Sequence, residues 1–377
     1  MKIGVVCYPT FGGSGVVATE LGHALSDRGH DIHFITYKQP VRLNVLQANI
    51  HFHEVHVPDY PLFQYQPYAL ALSSKLVKVV KEHQLELLHV HYAIPHAYAA
   101  YMAQKMLNDQ GIHIPFVTTL HGTDITLVGS HPFYKDAVAF SINHSNVVTS
   151  VSESLKADTL RLFDIKKDIK VIYNFIDADY YRHRQKPCER EKIANKSEKV
   201  ITHISNFRPP KRIIDVIKTF EIIQKKCPAK LMMIGDGQNR AAAQAYCKKQ
   251  GLKDKVVFLG KSNDIDRILC FSDLFLLPSE QESFGLAALE AMIHKVPVIS
   301  SNVGGLPEVN REGQSGYLLD VGDYQGMAEK GLKILLNPEI HQQFKQAAFE
   351  LALNFDIKKI VPQYEAVYQK AILTQTY

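Results

Sequence analysis

Short β-branched and aliphatic runs alternate with amphipathic stretches from one end of the 377-residue chain to the other. In the first half, the runs at 2–7, 31–37, 51–55, 86–92, 116–120, 146–151 and 169–175 predict strands. In the second half, strands are predicted at 199–205, 230–235, 255–259, 273–278, 296–300 and 316–319. Between them, segments such as 15–28, 68–83, 95–108, 211–226, 238–250 and 283–294 space their apolar residues as helices do. This rhythm predicts an α/β protein with parallel sheets and crossover helices. The nearly continuous apolar strands fit sheets covered on both faces. The stretch 181–198 breaks the pattern: it is polar, contains Pro187 and has no sustained apolar face. It reads as a linker. The chain then divides into an N-terminal Rossmann-like domain at 1–180 and a C-terminal Rossmann-like domain at 199–355, followed by a last amphipathic helix within 356–377.

Composition narrows the possibilities. A hydrophobic share of 46% and a charged share of 21% describe a folded globular protein long enough for two cores. The net charge of +5 comes without concentrated basic runs interleaved with aromatics, so no nucleic-acid partner is expected. A mild positive balance suits an anionic small molecule. Cys7, Cys188, Cys227, Cys247 and Cys270 are scattered without a CxxC pair, as reduced thiols of a cytoplasmic protein would be. The first apolar run is too short for a signal peptide, and no stretch approaches the ~18–20 apolar residues of a membrane helix.

The candidate chemistry gathers where strands end. After the first strand, Gly13-Ser14-Gly15 opens a helix, where bare N–H groups can meet an anion. The run Gly13 to Ala18 matches a relaxed dinucleotide fingerprint, yet no acid follows the second strand to hold a ribose, which counts against a nicotinamide enzyme. A phosphate or substrate loop and a purely structural turn remain open. His89 and His91 share a strand face, and His96 follows; without nearby cysteines or paired acids they read as core or pocket histidines rather than metal ligands. His121 ends a strand and enters the polar loop Gly122-Thr123-Asp124. Arg208, Lys211 and Arg212 gather beyond the first strand of the second half, with Pro209 and Pro210 stiffening the approach. They read either as a solvated basic turn or as a diphosphate clamp. Glycine turns at 234–240 and 302–309 occupy further strand ends.

Glu282 and Glu290 lie eight positions apart in SEQESFGLAALEAM, and Glu290 sits among Leu286, Ala287, Ala288, Leu289 and Ala291. A carboxylate there must be hydrogen-bonded or paired. Structure and ligand are both able to do this.

Taken together, "NFRPPKR", "IGDG", "DLFLLPS" followed by Glu282-x7-Glu290, and "NVGGLPEV" resemble the retaining glycosyltransferases of family four. The resemblance spans essentially the whole chain. It implies the GT-B fold, in which two Rossmann-like domains with parallel sheets face a central nucleotide-sugar cleft, the last helix crossing back to the first domain. The combination "YPTFGGSGVVATELG", "HYAIPHA", "HGTDIT" and "FRPPKR" resembles, within that family, the enzymes that carry N-acetylglucosamine from UDP-GlcNAc to L-malate at the first step of bacillithiol biosynthesis.

By that resemblance His121, Arg208, Lys211 and Glu282 are the catalytic set, with Glu282 on a hydroxyl of the transferred sugar. Glu290 binds the ribose of UDP. Gly13, Gly15, Asn206 and the amides around Phe284, Gly285 and Leu286 complete the donor site. The family usually has Arg five positions before its Lys; here Lys211 is preceded at that distance by Asn206, with Arg208 two residues on, so either one is the second diphosphate ligand. For the acceptor, Ser14, Arg42, Tyr92 and Lys135 are candidates from the first domain. No cofactor and no metal are implied. The partners expected are UDP-GlcNAc and L-malate, without nucleic acid or membrane insertion, and a homo-oligomer is left open. Two other readings stand beside this one. A family member acting on a lipid or polysaccharide would use a basic face such as Lys75, Lys78 and Lys81. A UDP-GlcNAc epimerase could share the architecture.

Overall fold

In the computed structural model, residues 1–374 are described except 11, 60, 62–63, 184–187 and 263; the last three residues, 375–377, are also outside the description. The chain forms two compact units, Met1–Asn174 with Ile357–Tyr377, and Phe175–Asp356. Each is a doubly wound α/β layer structure.

The first unit holds β1 (Lys2–Val6), β2 (Asp31–Thr36), β3 (Ile50–Glu54), β4 (Leu87–His91), β5 (Phe116–Leu120), β6 (Val147–Ser150) and β7 (Ile169–Val171). Their spatial order is β3-β2-β1-β4-β5-β6-β7, all parallel. The second holds β8 (Lys199–Ile204), β9 (Ala229–Ile234), β10 (Val256–Gly260), β11 (Leu274–Leu277), β12 (Val298–Ser301) and β13 (Gly316–Leu319), ordered β10-β9-β8-β11-β12-β13 and again all parallel. Every predicted strand is present, within a few residues of its expected limits. The largest change is at 169–175, where pairing stops at Val171, shortly before the boundary between the units.

The apolar continuity of the strands is explained by burial on both faces. β4, β5, β6, β11 and β12 are buried along their full length. In the second unit, Ile213, Val216, Ile217, Phe220 and Ile223 line one side of the helix Ile213–Gln224 and pack with Leu231, Met233, Leu274, Leu276 and Ile299. Fully burying an aliphatic or aromatic side chain of this kind contributes about 1.5–3 kcal/mol.

The expected linker at 181–198 is corrected by the structure. From Phe175 onward the chain belongs to the second unit. Arg190 donates to the carbonyls of Phe271 and Glu198 and pairs with Asp273 at 2.8 Å. Ile193 and Ala194 pack against Val200, Met232, Ile234 and Phe271. A guanidinium with three acceptors and two apolar side chains fixes a stretch that looks merely polar in sequence. Pro187 and its neighbours at 184–186 lie outside the described residues. The reading of five reduced cysteines is corrected as well. Cys188 and Cys270 are disulfide-bonded, with Cα atoms 6.0 Å apart, and Arg190 brings their two segments together. Cys7, Cys227 and Cys247 are free and buried.

The last helix, Ile357–Leu373, packs in the first unit and buries Val361, Tyr364, Val367, Tyr368 and Ala371. It covers a polar seam inside the sheet: the Tyr368 hydroxyl lies 2.8 Å from His89 Nδ1, His89 Nε2 lies 2.7 Å from Thr119 Oγ1, and Thr119 Oγ1 lies 2.7 Å from Thr149 Oγ1. At the helix surface, Glu365 takes a two-pronged contact from Arg28 at 2.8 and 2.7 Å and meets His30 at 3.0 Å. Tyr368→Phe leaves a fully buried His89 nitrogen without its partner, so the expected loss is about 1–3 kcal/mol of stability. The shift of the urea unfolding midpoint measures it, and a phenylalanine variant as stable as the parent would contradict the seam.

Candidate functional site

Strand order reverses between β1 and β4 in the first unit and between β8 and β11 in the second. Loops leaving adjacent strands in opposite directions open a crevice at such a point, where parallel α/β sheets bind ligands. The candidate residues collect at these two switch points.

In the first unit, Gly13 takes φ +62° as it caps the helix Ser14–Asp27, a backbone state costly for other residues, and no side chain caps that helix. Gly15 is glycine for a different reason: a Cβ there would stand 2.6 Å from the carbonyl of Tyr8. The loop after β1 thus lies against its own helix. Ser14 Oγ is 2.6 Å from the hydroxyl of Tyr92, which leaves β4 with φ +86°. The Tyr92 ring lies 5.1 Å from that of His121, at the end of β5, and His121 Nε2 shares a 2.8 Å hydrogen bond with His91 Nδ1. Gly13, Ser14, Gly15, Tyr92 and His121 are therefore contiguous.

Asp124 holds the group in place. Its carboxyl accepts from the amides of Ala93 at 2.8 Å and Gly122 at 3.0 Å, tying the loops after β4 and β5 together. Burial raises it to about 6 against the pull of those amides. The sequence marked Asp124 only as part of a polar loop. Arg42 and Lys135 are not brought into this group: Arg42 faces Glu20 at 3.4 Å, and Lys135 is exposed on the helix Pro132–His144. The basic face at 75–81 is engaged in part, with Lys78 near Glu82 at 3.7 Å and Lys81 donating to Gln110 at 2.8 Å.

In the second unit, Lys211 Nζ meets Glu282 Oε2 at 2.6 Å, joining the loop after β8 to the loop after β11. The backbone makes a second tie, from the amide of Glu280 to the carbonyl of Pro210 at 2.7 Å. Beneath them lies His203, which the sequence reading passed over. Its Nδ1 donates to the carbonyl of Leu276 at 2.8 Å, and its Nε2 is 2.7 Å from Ser205 Oγ. A histidine ending a strand next to a candidate loop was the available signal. Arg212 turns away from this group onto Asp215 at 2.6 Å and Glu280 at 3.6 Å. Arg208 and Asn206 are both exposed in the same turn.

Phe284 is buried, and Gly285 caps the helix Leu286–Ile293 in the left-handed conformation. Glu290 is buried one turn in. The further glycine turns act as props. A Cβ on Gly304 would stand 1.9 Å from the carbonyl of Glu282, and one on Gly305 2.5 Å from that of Ser283. Gly235 abuts Ser205, and Gly237 abuts Phe207, in the same manner.

Known proteins resemble this chain. Residues 11–180 match the family "Glycosyltransferase Family 4", and residues 185–351 match "Glycosyl transferases group 1". The N-acetyl-alpha-D-glucosaminyl L-malate synthase of Bacillus anthracis is 47% identical over 370 residues, covering 98% of this chain and 96% of that one. The chain belongs to glycosyltransferase family 4. A 2-deoxystreptamine N-acetyl-D-glucosaminyltransferase of Niallia circulans is 25% identical over 95% of this glycosyltransferase and 97% of its own length. Among solved structures, a glycosyltransferase of Rickettsia africae superposes with TM-score 0.80 at 19% identity, covering 100% of this chain and 99% of that one. HepE of Anabaena, in complex with UDP and glucose, superposes with TM-score 0.81 at 20% identity, covering 98% and 99%. The fold is GT-B, and the expected family, fold and enzyme class stand. Among the described residues, no helix is long and apolar enough to cross a membrane.

Gly304→Ala in this glycosyltransferase combines a left-handed φ of +56° with a clash against the Glu282 carbonyl, whereas Gly313→Ala has φ +71° in open space. The strain alone costs about 1–2 kcal/mol. The Gly304 variant should lose clearly more stability in urea. Equal losses in the two variants would remove Gly304 as the prop of the loop.

Burial also sets a pH response. It lowers His89 and His121 to about 3, His96 and His203 to about 4, and His91 well below the usual histidine value. Unfolded, these rings protonate near ~6.5. Between those values the unfolded chain binds more protons, so stability falls as pH drops below about 6.5, by up to about 1.4 kcal/mol per pH unit for each ring. Asp124 acts oppositely, gaining stability as pH falls from its folded value of about 6 toward the ordinary carboxyl range. The five rings outweigh one carboxyl. Urea midpoints should fall steadily from pH 7 to pH 5, and a flat or rising profile would contradict this balance.

Proposed function

We propose that this enzyme transfers N-acetylglucosamine from UDP-GlcNAc to the hydroxyl of L-malate with retention of configuration, the first step of bacillithiol biosynthesis. The observation that carries the reading is the 47% identity, over 98% of the chain, to the Bacillus anthracis enzyme named for that product. The second unit takes the donor. The buried Glu290 accepts hydrogen bonds from the ribose, and the opening amides of the helix Leu286–Ile293 face the diphosphate. Lys211 stabilises the charge that develops on UDP, with Arg208 as the second cation and Asn206 as its polar support. A well-placed donor of this kind contributes about 3–4 kcal/mol in the transition state. Glu282 binds a sugar hydroxyl.

The bond from the anomeric carbon to the UDP oxygen breaks as the malate oxygen bonds to the same face of that carbon. The malate hydroxyl proton passes to a phosphate oxygen of departing UDP, so no enzymic nucleophile is used. Before the donor arrives, the Lys211–Glu282 contact compensates both charges. Afterwards, phosphate and sugar hydroxyl replace it. In the first unit, His121 serves the donor sugar, neutral at pH 7 because burial holds it at about 3. Gly13 and Gly15 shape the loop beneath the diphosphate. Ser14 and Tyr92, 2.6 Å apart, offer hydroxyls to the acceptor.

The test is initial UDP release from UDP-GlcNAc with L-malate, D-malate or lactate, with the product configuration read by NMR. A site that pairs two carboxylates leaves a cation unmatched when one is missing, which costs several kcal/mol. Lactate should therefore fall by about two orders of magnitude or more in kcat/KM, and L-malate should exceed D-malate. Equal rates with lactate and L-malate, or turnover only on a lipid acceptor, would overturn the malate assignment. Release of free epimerised sugar nucleotide without a glycoside would overturn transfer.

A further inference from the structure

Four histidines gather at the other end of the first sheet, and neither the reaction nor the sequence analysis uses them. His33 on β2 pairs in register with His51 on β3, and Ile35 pairs with His53. Side chains two residues apart share a face, so His33, His51 and His53 lie together. His83, in the last turn of the helix Tyr68–His83, covers them, its ring 4.7 Å from that of His33 and 4.8 Å from that of His53. Nδ1 of His33 stands 2.9 Å from Nε2 of His53. One ligating nitrogen from each of His33, His53 and His83 can be chosen so that all lie within 4.8 Å of one another.

We propose that His33, His53 and His83 form a binding site for a borderline divalent cation such as Zn²⁺. Three neutral imidazoles are the donor set that such an ion favours and that Mg²⁺ and Ca²⁺ do not. Zinc–nitrogen bonds of about 2.0–2.1 Å in a tetrahedron set nitrogens about 3.3 Å apart, between the 2.9 Å of the His33–His53 pair and the 4.8 Å limit of the group. A solvent molecule takes the fourth position.

The surroundings support a ligand role. Nε2 of the buried His33 lies 3.4 Å from Asp31 Oδ2 without completing a hydrogen bond to it, while Nδ1 lies 2.9 Å from His53 Nε2. A carboxylate beside the non-ligating nitrogen is the kind of outer partner that fixes a metal-binding histidine. Asp31 Oδ1 is itself held by His51 at 2.8 Å. Burial lowers His33 and His53 to about 4, leaving lone pairs at neutral pH. Lys75 adds an opposing positive charge on His53. An ion held here would pin the end of a crossover helix to the edge strand of the sheet, far along the fold from the switch-point loops.

The experiment is calorimetric titration of chelator-treated full-length protein with ZnCl2, with Co²⁺ absorption as the spectroscopic probe and thermal unfolding as the readout of stability. One equivalent should bind, produce the visible bands of tetrahedral cobalt, and raise Tm. His53→Gln, on the edge strand, and His83→Gln, at a helix end, should each abolish that equivalent while keeping the parent's circular dichroism. Asp31→Asn should weaken it by about 10–100-fold. No binding to the parent, or binding of equal strength by both histidine variants, would overturn the site.

Discussion

The second unit depends on a close approach of backbone to backbone beside Glu282. The Glu282 carbonyl accepts from the amide of Gly305 at 3.0 Å, and only a residue without Cβ fits at Gly304. That contact fixes the height of the loop after β11, and the rest follows from it. Gly285 can begin its helix without an obstructing cap, and Glu282 is set opposite Lys211. Pro210 binds the amide of Glu280, so the loop after β8 is aligned by the same device. The glycine turns at these strand ends are supports of the neighbouring loops.

Two residues at the switch points take positive φ without being glycine: Tyr92 at +86° and Arg212 at +48°. Such conformations persist where surrounding contacts over-determine them. Tyr92 is held by Ser14 and by the amide bond pattern around Asp124, and Arg212 by Asp215. Both lie where the chain turns from strand into helix. Each turn carries a candidate residue of the proposed site, Tyr92 itself in the first and Lys211 in the second.

Much of the fold was legible because burial on both faces leaves apolar runs, which are read without knowing their neighbours. The placement of the E-x7-E acids was legible because it is local: one acid in a loop, one a turn into a helix. What stayed hidden depends on distant partners. Nothing near His89 in sequence says that Tyr368 will meet it, nor that Thr119 and Thr149 will continue a polar seam through the sheet. The stretch 181–198 looked like a linker because the partners of Arg190 within it, Asp273 and Phe271, lie some eighty residues away. His33, His51, His53 and His83 come together only through sheet register and the return of a helix.

The Lys211–Glu282 contact also constrains how the site can work. Each side chain is about one-fifth exposed, so neither charge is fully solvated and each compensates the other at 2.6 Å. A donor that brought only phosphate would take Lys211 and leave Glu282 half-buried beside a new negative charge, an unfavourable exchange. A nucleotide sugar avoids this, because its hydroxyls donate to the acid while its phosphates accept from the amine. The pair is thus matched to a ligand carrying both groups. Free nucleotide satisfies only half of it, and the differential belongs to the sugar. Discrimination of this kind arises from unpaired polar groups left behind, and it exceeds what apolar contacts alone achieve. On the proposed reading, the ion pair does more than hold two loops together: it ties the release of Lys211 to the phosphate to occupancy of the sugar position.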